Sequence, residues 1–239
     1  MKILNLYAGI GGNRKLWDDC EVTAVEWSED IARVYSDNFP QDTMITTDAH
    51  EYLLQAYQNF DFIWSSPPCQ SHSRMIRSGR NRKPRYPDLG LYEEVLFLKH
   101  NFKGKWVVEN VVPYYKPLIP YEKRGRHIFW TNFYLPEFEP PEFKNFINRQ
   151  NLREKVRLMD WLGLHYEGNI YYENNHCPTQ VLRNAVHPEM GKIVMEAALN
   201  DSVHRGQRLC DHKTPGIEMA SCDECNDRGP VQTVPGHSG

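Results

Sequence analysis

Cys69 lies in Ser66-Pro67-Pro68-Cys69-Gln70, behind two prolines that restrict the backbone. A cysteine is a useful nucleophile only as thiolate, tuned from a pKa near ~8.5. Arg74, Arg77, Arg80, Arg82, Lys83 and Arg85 follow it and can supply positive potential; the plain alternative is a packed loop thiol. Glu109, in Glu109-Asn110-Val111, closes an apolar run. Together, Cys69 and Glu109 suit nucleophilic attack on a ring whose nitrogen must be protonated. Gly9, Gly11 and Gly12 follow another apolar run and allow close backbone approach to a ligand. The Lys-Ser/Thr ending of a phosphate cradle is absent. Glu26 can accept from ribose hydroxyls, and Trp27 offers a face for adenine; the alternative is a tight turn with a surface Glu and a core Trp. The segment from Arg74 to Arg85 holds five Arg and one Lys with no acid. It suits phosphate contacts, although such runs are commonly just solvated. Near the C-terminus, Cys210, His212, Cys222 and Cys225 form two pairs of soft ligands, and the Cys-x-x-Cys half has structural-zinc spacing.

These groups need elements to hold them. Strand-like runs are predicted at Lys2 to Tyr7, Val22 to Glu26, Thr43 to Thr46, Asp61 to Ser65 and Lys105 to Glu109. Helices are predicted at Asn13 to Asp19, Glu29 to Asn38 with Ser28 as cap, Ala49 to Tyr57 and Asp88 to Asn101. This β-α-β-α rhythm predicts a parallel sheet covered on both faces. In such sheets ligands bind beyond the carboxyl ends of the strands. Gly9 to Gly12, Glu26, Asp48, Pro67 to Gln70 and Glu109 all fall there. After Arg126 the rhythm fades, Thr131 to Lys144 reads as irregular, and two late helices are predicted at Leu152 to Leu162 and Pro188 to Leu199.

Several of these blocks occur in a familiar order. Tyr7-Ala8-Gly9-Ile10-Gly11-Gly12, Pro68-Cys69-Gln70, Glu109-Asn110-Val111 and Arg124-Gly125-Arg126 are followed by Leu152 to Met159 and by Gln180 to Val186. The chain resembles the cytosine C5 methyltransferase family over about Met1 to Leu199. The resemblance implies a Rossmann-like α/β fold with a mixed, mostly parallel sheet and S-adenosylmethionine as cofactor. It implies that Cys69 adds to C6 of a flipped cytosine, that Glu109 stabilises the protonated ring, and that Arg124 and Arg126 fix the base and Cys69. It assigns cofactor contacts to Tyr7, Ala8, Gly9, Gly11, Gly12, Glu26, Trp27, Asp48, Pro68, Asn184 and Ala185. Gln70, Ser71 and the basic run from Arg74 to Arg85 are assigned to the nucleic acid. The base must leave the helix because its reacting atom is inaccessible in a duplex.

Two departures set further expectations. Members usually carry a large target-recognition segment, and only about 131–150 is free for one. A short site, a specificity partner or single-stranded substrate follows. Arg183 stands where the family usually has Gly. It contacts nucleic acid or an acid in the protein, or it favours a donor with a carboxylated transferable group. The expected organisation is a catalytic domain over 1–200 and a Cys/His-rich zinc-binding-like tail over 201–239. DNA, duplex or single-stranded, is the expected partner. Transfer RNA is the alternative, and a non-catalytic nucleic-acid-binding protein is a third reading that the pairing of Cys69 with Glu109 disfavours.

Composition bounds these readings. The 239 residues are 40% hydrophobic and 25% charged, with a net charge of −3. The chain is thus no uniformly basic nucleic-acid binder, and contact must be local. No apolar run reaches the ~18–20 residues that span a bilayer. With no export signal, the six cysteines are expected to be reduced. The expected location is the cytoplasm of a bacterium or of a phage-infected cell.

Overall fold

A computed structural model describes residues 1–74, 86–143, 152–171 and 177–208. The first four strands are β1 (Lys2–Leu6), β2 (Glu21–Val25), β3 (Thr43–Ile45) and β4 (Phe62–Ser65), with α1 (Glu29–Asn38) between β2 and β3 and α2 (Ala49–Ala56) between β3 and β4. α3 (Gly90–Asn101) leads into β5 (Lys105–Val111), and β6 (Glu122–Arg124) and β7 (His127–Thr131) form a hairpin. α4 (Leu152–Leu162), α5 (Gln180–Asn184) and α6 (Pro188–Arg208) follow. The seven strands form one sheet in the order β3-β2-β1-β4-β5-β7-β6. The strands from β3 to β5 pair in parallel, whereas β7 runs antiparallel to both β5 and β6. The sheet is mixed and mostly parallel, as expected.

Alternation along the strands divides the core between the faces. Leu4, Leu6, Ile63 and Val108 pack with Leu53 of α2 and with Leu91, Val95 and Leu98 of α3. Ile3, Phe62, Trp64, Val107 and Phe129 pack with Trp17 and with Met190 and Val194 of α6. A third cluster joins α1 to α4 and α5 through Ile31, Tyr35, Leu158, Leu162 and Leu182.

Local predictions differ from the structure in four places. The helix expected at Asn13 to Asp19 is a chain of tight turns. Arg14 N donates to Gly11 O, Lys15 N to Gly12 O and Trp17 N to Arg14 O, each three residues back. Tertiary contacts pin the segment: Asn13 pairs with buried Asn5, and Trp17 Nε1 donates to Gly191 O. Ser28 begins α1 without a side-chain cap bond; its backbone N–H instead donates to Glu26 Oε1 at 3.0 Å. Beyond Arg126 the sheet continues in β7, whose Ile128, Phe129 and Trp130 are buried. α6 also extends to Arg208, past the expected end at Leu199. Among the described residues, no helix is long and apolar enough to cross a membrane. The chain divides into two units, Met1–Ser202 and Val203–Gly239.

Candidate functional site

The carboxyl ends of β1 to β5 bring most of the predicted residues to one edge of the sheet. β1 exits through an unusual turn: Tyr7, Gly9 and Gly11 have φ of 54°, 56° and 84°. Positive φ is costly for Tyr7, which has a Cβ. Its hydroxyl anchors the turn by donating to Glu94 Oε1 at 2.5 Å. Ser65 Oγ, at the end of β4, donates to the other oxygen of Glu94 at 2.5 Å, and His50 Nδ1 lies 3.2 Å from Oε1. One buried carboxylate on α3 thus ties together three segments at this edge.

The glycines divide by role. Beside Gly9 there is open space, whereas a Cβ on Gly11 would stand 2.2 Å from Phe39 Cε2 and one on Gly12 would stand 2.2 Å from Val186 O. Gly11 and Gly12, expected at the cofactor, also pack closely against protein atoms, whereas Gly9 leaves room for a ligand. Glu26 accepts from Gly9 N and Ser28 N, both at 3.0 Å. Burial pushes its carboxyl pKa up, against the pull of these backbone donors. Trp27 is 54% exposed, so the core reading of this ring is excluded. Asp48 is exposed and caps α2 by accepting from Glu51 N at 2.8 Å. Open space at Gly9, a free indole face and two carboxylates fit a nucleoside-bearing cofactor such as S-adenosylmethionine. Ala8 is buried, Pro68 is exposed, and exposed Asn184 accepts from Gln180 Nε2 at 2.7 Å. Ala185 packs toward Gly12.

Cys69, Glu109 and Arg126 form the centre. The Cys69 thiol is pushed up to about 11, first by burial and then by the Glu109 carboxylate, with Arg126 pulling the other way. Of the basic run expected to lower this pKa, only Arg74 is described, and its Nε donates to Pro113 O at 3.3 Å. Arg77, Arg80, Arg82, Lys83 and Arg85 lie outside the described residues. Gln70 is exposed, and Ser71 Oγ accepts from Asp88 N at 3.1 Å. Asn110 Nδ2 donates to Pro67 O at 2.9 Å, tying the turn before Cys69 to β5.

The Arg124 side chain is held by neighbouring protein groups. Its guanidinium donates to Leu135 O at 2.6 Å, Pro136 O at 2.8 Å, Lys123 O at 2.9 Å and Glu122 Oε2 at 2.8 Å. These contacts tie it to the segment that follows β7. Arg126, on the hairpin turn, reaches Arg183 O at 3.5 Å and joins the centre to α5. The Arg183 side chain approaches Cys177 Sγ at 3.9 Å.

Three residues that sequence reasoning passed over belong to the centre or its support. His127 Nδ1 lies 2.6 Å from Glu109 Oε1. Ser66 Oγ donates to Glu109 Oε2 at 2.9 Å and accepts from Trp64 Nε1 at 2.8 Å. Glu94 sits beneath the edge. The β-prone run after Arg126 was the available signal for His127; nothing local marks Glu94. Cys210, His212, Cys222 and Cys225 lie outside the described residues, and among those described no group of metal-ligating side chains occurs.

Residues 1–113 match the family model of the C-5 cytosine-specific DNA methylases. The human tRNA (cytosine(38)-C(5))-methyltransferase is 31% identical over 86 residues, 33% of this chain and 22% of that protein. The Spodoptera frugiperda protein of the same name is 35% identical over 80 residues, 30% of this chain and 24% of the relative. The chain therefore spans less than a quarter of the curated relatives it matches. A solved methyltransferase from Entamoeba histolytica superposes with a TM-score of 0.50 at 12% identity, over 84% of this chain and 98% of its own. That likeness concerns the fold, which is the Rossmann-like fold of S-adenosylmethionine-dependent methyltransferases.

Proposed function

We propose, from the premise that the chain belongs through residues 1–113 to the C-5 cytosine-specific DNA methylase family, that it is an S-adenosylmethionine-dependent cytosine C5 methyltransferase acting on DNA. The observation that carries the reading is the convergence of Cys69, Glu109 and Arg126 at the carboxyl edge of the sheet, close enough for both charged groups to act on the Cys69 thiol. In this reading Cys69 Sγ adds to C6 of a flipped cytosine. Glu109 holds the N3/N4 edge and supplies a proton there, and Arg126 offsets the negative charge of the thiolate and carboxylate. S-adenosylmethionine, when bound, supplies an electrophilic methyl group to C5. Gly9, Glu26, Trp27 and Asp48 would hold its ribose and adenine. The buried wall formed by Pro67 and Asn110 orients the Cys69 turn.

The names of the curated relatives favour a second reading, cytosine C5 methylation of transfer RNA. One experiment separates the two. The protein is incubated with labelled S-adenosylmethionine and duplex DNA, single-stranded DNA or transfer RNA, and the modified nucleosides are identified by mass spectrometry. C5-methylcytosine in DNA supports the first reading, and its confinement to RNA supports the second. Full activity in Cys69→Ser overturns both. Glu109→Gln should lose about 10²–10⁴-fold in rate, the usual contribution of a placed acid–base group. A carboxylated donor, tested alongside with Arg183→Gly, decides the transferred group. Metal analysis of the whole chain and of Cys222→Ser tests the zinc reading of the tail, which rests on its sequence.

A further inference from the structure

The two oxygens of Glu109 meet different neighbours, and the groups behind those neighbours set the direction of each hydrogen bond. The Arg126 guanidinium is always a donor, and its Nε–H reaches His127 Nε2 at 3.1 Å. That imidazole nitrogen must therefore be bare. The proton of neutral His127 then sits on Nδ1 and is donated to Glu109 Oε1 at 2.6 Å. Were Oε1 to carry a proton, it would meet the Nδ1–H head-on. The other oxygen is treated differently. The Trp64 indole can only donate, and it does so to Ser66 Oγ at 2.8 Å. The Ser66 hydroxyl keeps one rotatable hydrogen, which it can give to Glu109 Oε2 at 2.9 Å or turn aside while accepting from a protonated Oε2.

We propose that His127 and Ser66 are positioning residues that make the oxygens of Glu109 unequal. Oε1 is held as a standing acceptor for the exocyclic amino group of the target base, and Oε2 carries the proton to and from N3. The assignment rests on the cytosine C5 chemistry proposed above. As the Cys69 thiolate forms its Sγ–C6 bond, the C5=C6 pair moves to C4=C5. The C4=N3 pair moves to N3, which takes a proton that Oε2 has picked up from solvent as the base binds, and Glu109 returns to its ionised form. C5 then takes the methyl group, and the donor sulfur keeps the bonding pair. Loss of the C5 proton to a base restores C5=C6 and expels the Cys69 thiolate. N3 returns its proton to Oε2, which releases it to solvent, so Glu109 ends ionised, as it began.

The scaffold suits this task. Glu109 is on β5 and His127 on β7, where the register sets Glu109 opposite Phe129 and Val111 opposite His127. The two side chains are thus diagonal neighbours on one sheet face. The His127 and Glu109 side chains are nearly closed to solvent, 7% and 6% exposed. Positioning groups on adjacent strands are held more firmly than groups on loops.

Nitrogen NMR of the histidine side chains tests the geometry without reference to activity. His127, assigned by the signal missing in His127→Phe or His127→Asn, should show a bare Nε2 and a protonated Nδ1. A proton on Nε2, alone or with Nδ1, overturns the assignment. Single-turnover kinetics and adduct trapping on a 5-fluorocytosine substrate test the role. His127→Phe should lower the methyl-transfer rate about 100-fold, at the low end for a placed acid–base group, with little change in KM. His127→Asn, which keeps a donor near the Nδ1 position, should recover a large part of that loss. Ser66→Ala should slow transfer without altering the His127 tautomer. A wild type that traps the base through Cys69 while His127→Phe is equally fast overturns the positioning role and leaves the C5 reading standing. A wild type that forms no Cys69-dependent adduct overturns the C5 reading and this assignment with it.

Discussion

At the scale of single residues, the site depends on how a few ionisable groups alter one another. Cys69 shows this most directly, because its thiol is pushed up to about 11 by burial and by Glu109. The thiolate is the reactive form, so its supply rises with pH throughout the neutral range. Alkylation of Cys69 by iodoacetamide, followed by peptide mass spectrometry, should accelerate about tenfold per pH unit between pH 7 and 9. At fixed pH, Glu109→Gln should speed the reaction and Arg126→Ala should slow it. A rate that levels off near pH 7 would contradict the structure. Arg124 and Arg126 teach a related lesson. Two residues apart on a hairpin, they look equivalent, yet one guanidinium is fully engaged by Leu135, Pro136, Lys123 and Glu122 while the other approaches Glu109 and Cys69.

At the scale of elements, close packing holds the β1 exit turn in place. A Cβ on Gly191, in the first turns of α6, would meet Asn13 O at 2.0 Å, and one on Gly12 would meet Val186 O at 2.2 Å. Backbone atoms cannot step aside as a flexible side chain would. Gly12→Ala and Gly191→Ala should each cost about 1–3 kcal/mol, read as a lowered thermal midpoint. Gly9→Ala would place its Cβ in open space and should strain only the backbone, at φ of 56°. α3 contributes through Glu94, whose hydrogen bond to His50 is the main reason the His50 pKa is raised. A raised folded-state pKa means that this pairing stabilises fully below the ordinary histidine value, about 6.5. The contribution disappears as pH climbs through the folded value. The stability gap between wild type and His50→Gln should accordingly shrink between pH 5.5 and 8.5 in thermal melts, and a gap that widens would sink the pairing.

At the scale of the whole molecule, a net charge of −3 coexists with five Arg and one Lys between Arg74 and Arg85. If that run binds phosphates, replacing Arg77, Arg80, Arg82, Lys83 and Arg85 by Gln should flatten the salt dependence of binding. The slope of log affinity against log salt should fall by about 0.9 for each duplex-DNA phosphate that is no longer neutralised. An unchanged slope would make the run a solvated surface. The sequence alone determined the alternating elements, the parallel part of the sheet and the alignment of Gly9, Glu26, Asp48, Cys69 and Glu109 at strand ends. These depend on local periodicity and on the rule that chain-adjacent strand ends face one edge. Only the tertiary structure decided the rest. It made Asn13 to Asp19 a set of turns because Asn5 and Gly191 bind that segment from afar. It added β7 as an antiparallel partner of β5 and thereby set His127 against Glu109, 18 residues away. It recruited Glu94 to Tyr7 across 87 residues. Such contacts join residues whose neighbours in the chain carry no trace of the partner, because packing and buried hydrogen bonds are satisfied in space.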